Sequence, residues 1–329
     1  MKYIKLWLRV VVGIVLMQSM LGHAQAITEQ EAAAEWLKKM ANAVTSENYQ
    51  GRSIFHNGSQ MMSLKIIHAV IDDEPWDRVV HLSGEPAEVL RKGGSIKCLH
   101  PDGAVELNAG AGEVPLLHAF SGDNLVIPEQ YQLQVGREGR VAGRLVQIVN
   151  VIPMDRARYG YQLGIDKETG VLLKTVMLNR KGKALEVFEF VDISIDTALS
   201  EDDFMPGDGV QWIETTPTQL AEKAEGDGKD VGWTAKWLPQ GFMLAEHTVR
   251  HLSGSDVNAH VYSDGLAAFT VFMEKLDKIE NVEGSKQRGA TVALSRRLPT
   301  PNANYLVTVV GEVPMETAMQ VAASVTKDD

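Results

Sequence analysis

Hydrophobic positions first recur at a helical period and then settle into alternation. Thr28-Glu29-Gln30-Glu31 forms a capping box, and behind it Trp36, Met40 and Val44 recur every four residues, with Ala33 and Leu37 beside them. That spacing predicts one amphipathic helix of about 16 residues, whose apolar stripe needs a surface to lie on. Beyond it the period falls to two. Strands are predicted over 52–56 and 60–71 around the hairpin pair Asn57-Gly58,. Two more, 79–82 and 88–91, flank Ser83-Gly84-Glu85-Pro86, and another two, 95–99 and 104–107, flank Pro101-Asp102-Gly103. Turn signals so regularly spaced predict an antiparallel meander.

The stretch 110–128 is less regular and predicts a loop or short helix over the sheet, carrying Leu116, Leu117 and Phe120. Strands resume at 131–135 and 144–152, and Tyr159, Tyr161, Leu163 and Ile165 then alternate on one face,. Asp166-Lys167-Glu168-Thr169-Gly170 is a tight turn, and strands over 171–178 and 185–193 flank a second turn, Asn179-Arg180-Lys181-Gly182. Both of these strands are apolar on both faces. A sheet wetted on one side needs no such pattern, so one face is expected to pack the helix and the other to line a core or cavity.

Between 202 and 230 the composition turns to Pro, Gly, Thr and acidic residues, which predicts a linker over 206–230,. The second domain, 231–329, opens with Trp233, Trp237 and Leu238-Pro239-Gln240-Gly241-Phe242. Strands are predicted over 243–252, 258–262, 266–274, 290–298 and 305–310, with Ser263-Asp264-Gly265 as a turn. A helix over 314–325 places Met315, Ala318, Met319, Ala322 and Val325 on its apolar stripe,. The fold class is α+β: a larger antiparallel domain over 27–205 and a smaller α+β domain after the linker. No internal repeat relates the two.

Composition adds an address. Lys2, Lys5 and Arg9 precede an apolar run over 10–17, and Ala24-Gln25-Ala26 is a small-x-small cleavage site. Residues 1–26 therefore read as a secretory signal peptide, too short in its apolar part to be a membrane anchor. Its removal takes the net charge from −11 to −14. So acidic a chain, with no Lys/Arg run longer than two residues, is no nucleic-acid binder. It suits a basic partner segment. The single cysteine, Cys98, permits no internal disulfide and reads as a small buried hydrophobe rather than a reactive thiol,. Asn57-Gly58-Ser59 fits a glycosylation acceptor but reads better as the hairpin turn.

The sequence holds no plausible catalytic constellation. His247 and His251 are four apart on a strand, on one face but about 13 Å apart, so no metal site is expected. His260, Ser263 and Asp264 hold the residue types of a hydrolase triad, yet they crowd one hairpin and read as turn chemistry. Gly110-Ala111-Gly112 and the set Gly136, Gly139 and Gly143 match no phosphate loop and read as turns. Asp72-Asp73-Glu74 and Glu201-Asp202-Asp203 read as solvated charge. No cofactor, no metal and no enzymatic activity are expected, and binding an apolar ligand or a partner protein is the default. An exported hydrolase is a third and weaker reading, carried only by the His260–Asp264 cluster.

Seven strings in order give the chain a resemblance to the MucB/RseB family. They are Asn48-Tyr49-Gln50-Gly51, the stretch from Gln60-Met61 to His68, Leu82-Ser83-Gly84-Glu85-Pro86-Ala87-Glu88-Val89, Arg158-Tyr159-Gly160-Tyr161, Asp166-Lys167-Glu168-Thr169-Gly170, Trp237-Leu238-Pro239-Gln240-Gly241-Phe242 and His260-Val261-Tyr262-Ser263-Asp264-Gly265-Leu266. The resemblance covers nearly the whole mature chain. It implies a LolA-like N-terminal domain, an incomplete antiparallel β-barrel covering helices. It also implies a periplasmic negative regulator of an envelope-stress sigma factor. Such a protein binds the periplasmic part of a membrane-spanning anti-sigma factor, shields it from proteolysis and releases it on sensing lipid or lipopolysaccharide. Homo-oligomers are suggested as well. A periplasmic lipid or lipoprotein carrier is the alternative. For lipid contact the candidates are Trp36, Met40, Leu116, Leu117, Phe120, Tyr161, Leu163, Leu173, Phe188 and Phe190. For the partner they are Tyr262, Asp264 and Leu266, with Trp233 and Trp237 as outside choices.

Overall fold

The computed structural model describes residues 29–92, 95–99, 127–205, 232–252, 255–276 and 283–327. The signal-peptide reading, the strand over 104–107, the stretch 110–128 with Leu116, Leu117 and Phe120, and the 206–230 linker lie outside the described residues. So do the side chains of Cys98 and His251.

Helix α1 spans 29–46, and its Ala33, Leu37, Met40 and Ala43 are buried. It lies against a ten-stranded antiparallel sheet built from β1 (Tyr49–His56), β2 (Met61–Ile71), β3 (Glu74–His81), β4 (Glu88–Lys92), β5 (Ser95–Leu99), β6 (Tyr131–Val141), β7 (Arg144–Pro153), β8 (Gly160–Asp166), β9 (Leu172–Leu178) and β10 (Ala184–Ile195). The strand order is β5-β4-β3-β2-β1-β10-β9-β8-β7-β6. Two meanders are thus joined in the middle by β1 and β10. Among the described residues the sheet curls round α1 without closing, the incomplete antiparallel barrel over a helix that the resemblance implies. The doubly apolar pattern is realised: β9 buries residues of both faces.

One local expectation is overturned and another gains a structural role. Gly136 and Gly139 are not turns but lie inside β6, where the register shifts between Val135 and Glu138. A Cβ on Gly136 would sit 3.1 Å from Ile148 of β7, so the missing side chain lets the bulged strand approach,. Only Ala142-Gly143 turns, with φ of 48° and 78°. Asp72, Asp73 and Glu74 are solvent-exposed, as expected of solvated charge, and the two aspartates have a further part in shaping the chain. Both residues take positive φ, 52° and 63°, and close the tight β2–β3 hairpin, as short polar side chains can. The acidic run after β10 forms a short 3-10 turn, Glu201–Phe204, whose Phe204 packs edge-on to Trp76 at 5.6 Å.

A second, six-stranded sheet has the order β12-β13-β14-β17-β16-β15: Met243–Leu252, Ser255–Ser263, Ala268–Leu276, Asn304–Gly311, Thr291–Pro299 and Gly284–Arg288. Helix α2 (Met315–Ser324) packs on it behind Pro314. Its buried side is Thr317, Ala318, Val321 and Ala322, so the stripe expected through Met319 is shifted and Met319 is 55% exposed. Short β11 (Trp233–Ala235) pairs with β18 (Val325–Lys327), tying the two ends of this unit together.

Candidate functional site

Two places bring the sequence candidates together. The first is the concave face of the large sheet. Met40, Tyr161, Leu163, Leu173, Phe188 and Phe190 are each at most 2% exposed and belong to one apolar cluster, with Trp36 partly buried at its edge. Burial pushes the Tyr161 hydroxyl well above its usual range. Helix α1 fills this face and is fastened to it. Lys39 Nζ donates to the carbonyls of Lys167 at 2.6 Å and Glu168 at 2.9 Å, in the β8–β9 turn. Gly170, at φ 90°, leaves room there, since a Cβ would lie 2.7 Å from the Lys39 carbonyl. Towards the other end of α1, His68 Nε2 lies 2.9 Å from the Val44 carbonyl, while Nδ1 meets Asp77 at 2.6 Å. Tyr49 stacks on that ring at 4.8 Å, and Arg91 grips Asp77 from β4. Burial alone would raise the Asp77 carboxyl, but the hydrogen bond and charge of His68, with Arg91, hold it below the usual range.

The second place is the seam between the two sheets. Arg158, in the β7–β8 connection, forms an ion pair with Asp264, in the β13–β14 turn, and neither side chain is exposed. Burying both charges is tolerable because each also has hydrogen-bond partners beyond the pair,. Arg158 also donates to the Gln240 carbonyl at 2.5 Å and pairs with Asp155 at 3.0 Å, and its guanidinium lies 5.0 Å from the Phe242 ring. Asp264 accepts from Tyr131 Oη at 3.2 Å and from the amides of Leu266 and Ala267 at 2.9 and 2.8 Å. Leu266 is buried in the large sheet's apolar cluster.

A little further along the seam, Tyr159 Oη donates to the Val313 carbonyl at 3.2 Å, and Thr317 Oγ1 donates to the Ala157 carbonyl at 3.0 Å. Burial pushes the Tyr159 hydroxyl up to about 12. Glu186 of β10 reaches across to accept from the Ala290 amide at 3.1 Å, while its Oε2 has no hydrogen-bond partner. Burial raises its carboxyl. Burial, and then the charge of Glu186, push Glu312 up to about 8.

Three of the partner candidates thus sit in or beside the seam. Asp264 carries the ion pair, Leu266 enters the large sheet's cluster, and Tyr262 is buried in the small sheet's own cluster with Trp233. Trp237, 37% exposed, lines a hollow beside the seam with Arg158 and Tyr159. Ser263 and Asp264 serve the turn: Ser263 Oγ donates to the Ala267 carbonyl at 3.2 Å and accepts from the Gly265 amide at 3.0 Å. His260 lies against His247, with ring centroids 5.5 Å apart. Among the described residues no three His, Cys, Asp or Glu side chains gather as a metal site. Arg158, Tyr159, Gln240 and Glu186 were given no role by the sequence reading. Arg158, Tyr159 and Gln240 lie within the strings that carry the resemblance, and that was the one available signal.

Comparison with known proteins gives matches along most of the chain. The MucB/RseB N-terminal domain model matches residues 32–207 and the MucB/RseB C-terminal domain model residues 227–326. The sigma factor AlgU regulatory protein MucB of Pseudomonas aeruginosa is 34% identical over 311 residues, 93% of this chain and 95% of that protein. The sigma-E factor regulatory protein RseB of Escherichia coli is 27% identical over 301 residues, 89% of this chain and 90% of its own. The solved complex of Pseudomonas aeruginosa MucA and MucB gives a TM-score of 0.75 at 32% identity, covering 91% of this chain and 99% of that one. A crystal structure described as that of MucB gives 0.62 at 30% identity, covering 91% and 98%.

Proposed function

The chain belongs to the MucB/RseB family, and from that premise we propose that it is a periplasmic regulator that binds the periplasmic part of a membrane-spanning anti-sigma factor. Binding shields that segment from proteolysis and so restrains the envelope-stress sigma factor. Lipid or lipopolysaccharide loosens the grip. The observation that carries this reading is the match over both halves of the chain to sigma-factor regulators, one of them solved with MucA. The protein acts by binding and carries out no catalysis.

Two arrangements of the sheets supply the mechanism. In one the seam is closed by Arg158–Asp264, and the higher likeness to complexed MucB than to that other MucB structure supports assigning partner binding to it. A lipid acts through the concave face. Leu163, Phe188 and Phe190 become available to an acyl chain when α1 yields its place, which costs the helix the burial of Leu37 and Met40, about 1.5–3 kcal/mol each,. A lipid shifts the balance only by its differential affinity for the two arrangements. The apolar concave face also favours the second reading, a periplasmic lipid or lipoprotein carrier. Higher assembly of the regulator into homo-oligomers belongs to the first.

Titration of mature protein, residues 27–329, against the periplasmic segment of its host's anti-sigma factor separates these readings. Saturable binding that weakens with added lipopolysaccharide is expected. No binding well above micromolar concentration moves the function to the carrier.

A further inference from the structure

Two contiguous hollows of about 750 and 950 Å³ open beside the seam and share Arg156, Arg158, Asn179 and Arg180 in their linings. Topology explains their charge. The β7–β8 and β9–β10 connections leave the same end of the large sheet, and one carries Arg156 while the other is the turn Asn179-Arg180-Lys181-Gly182. Arg158 is spent on Asp264 and Asp155. Arg156, Arg180 and Lys181 are exposed and have no ion-pair partner among the described residues. The carboxylates lining the hollows are Glu316 in the larger and Asp155, paired with Arg158, in the smaller. A net of unneutralised cations in a concave place focuses positive potential, against the field of a chain whose net charge is −11 before the leader is removed,.

The lining is also amphipathic. Trp237 is 37%, Ile152 40% and Met154 66% exposed along these hollows. Asn179, Gln287 and Gln320 add side-chain amides, groups that bond peptide backbone as well as backbone bonds itself,. Open, half-polar walls of this kind suit an extended peptide better than an acyl chain, which needs an enclosed apolar sleeve.

We propose that this groove takes an acidic peptide segment with interspersed apolar residues, its carboxylates on Arg156, Arg180 and Lys181 and an apolar side chain on Trp237. Resting on the regulator reading above, it assigns the groove to an acidic stretch of the anti-sigma factor's periplasmic part. The chain's overall charge points to a basic partner segment; the groove has the opposite preference locally.

The test compares mature wild-type protein with R156E/R180E/K181E. All three positions are exposed, so folding is retained, and matching far-UV circular dichroism and melting temperature check it. Each is titrated with the host anti-sigma factor's periplasmic segment at low and high salt. The expected result is a loss of at least about tenfold in affinity at low salt, mostly in association rate, and a flatter salt dependence. W237A should weaken binding while leaving the salt dependence as in wild type. Wild-type binding that the triple reversal leaves unchanged overturns this proposal and leaves the regulator reading standing. Absence of binding by the wild type itself overturns both. Vesicles containing phosphatidylglycerol form a separate arm: if the reversal abolishes vesicle binding but not segment binding, the groove is a lipid-headgroup site and the peptide assignment fails.

Discussion

Burying Arg158 and Asp264 takes two charges out of water, and their geometry must repay that. Every polar edge of the pair is met, by Asp155, Gln240 and Tyr131 as well as by two backbone amides. Removing one partner strands the other charge in an apolar place. Arg158→Met or Asp264→Leu alone should therefore cost about 3–5 kcal/mol in urea unfolding, and the double variant should recover much of that loss. If the double variant loses the sum of the singles, the two groups are not coupled as the structure has them. A second residue-scale prediction concerns pH. Glu312, pushed up to about 8, binds more protons in the folded form than in the unfolded one. Its contribution is fully present below the unfolded carboxyl pKa and is lost as pH rises through about 8,. Melting temperature should thus fall between pH 5 and 8.5 more steeply in wild type than in Glu312→Gln, and parallel profiles would exclude this cause. Asp77 and Asp166, both held low, act the other way and cost stability only as the solution turns acid. Asp264 was legible as a special residue through its turn string. Its partner was not, because nothing local in a sequence connects residues 158 and 264.

Among elements, those with local causes were readable. Asn57-Gly58 and Asp166–Gly170 announce hairpins by turn chemistry that acts within a few residues. Where chemistry was ambiguous, reading failed. Two exposed aspartates hide their part in closing the β2–β3 hairpin behind their charge, and glycines inside bulged β6 look like turns. The β11–β18 pair unites residues 233–235 with 325–327 and leaves no local trace. The strand pair that matters most, β1 with β10, does leave one. Gly51 stands in it because a Cβ there would lie 2.3 Å from the Asp192 carbonyl, next to the register shift at Arg52 and Ser53. The conflict is with backbone, which cannot swing aside. Gly51→Ala should cost about 1–3 kcal/mol in chemical denaturation through overpacking, although alanine ordinarily favours extended or helical chain over glycine. An unchanged denaturation midpoint would mean that the two meanders are not held so closely.

For the whole molecule, family membership and fold class were within reach of the sequence, while the relation between its two sheets was not. Each sheet follows from alternation and turns. The seam depends on side chains that meet only after both have formed, so its ion pair and its basic hollows emerge only in three dimensions. The joint between β1 and β10 carries a consequence for how the molecule comes into being. Tyr49 pairs with Ile195, so the centre of the ten-stranded sheet is its most distant strand pairing in the chain. A chain delivered N-terminus first can zip β1 to β5 early, but β1 then presents an open edge until β10 arrives. Such an edge invites pairing with other chains, and distant strand pairings close slowly. Slowing the arrival of β10 during refolding is therefore expected to raise self-association, which light scattering would register.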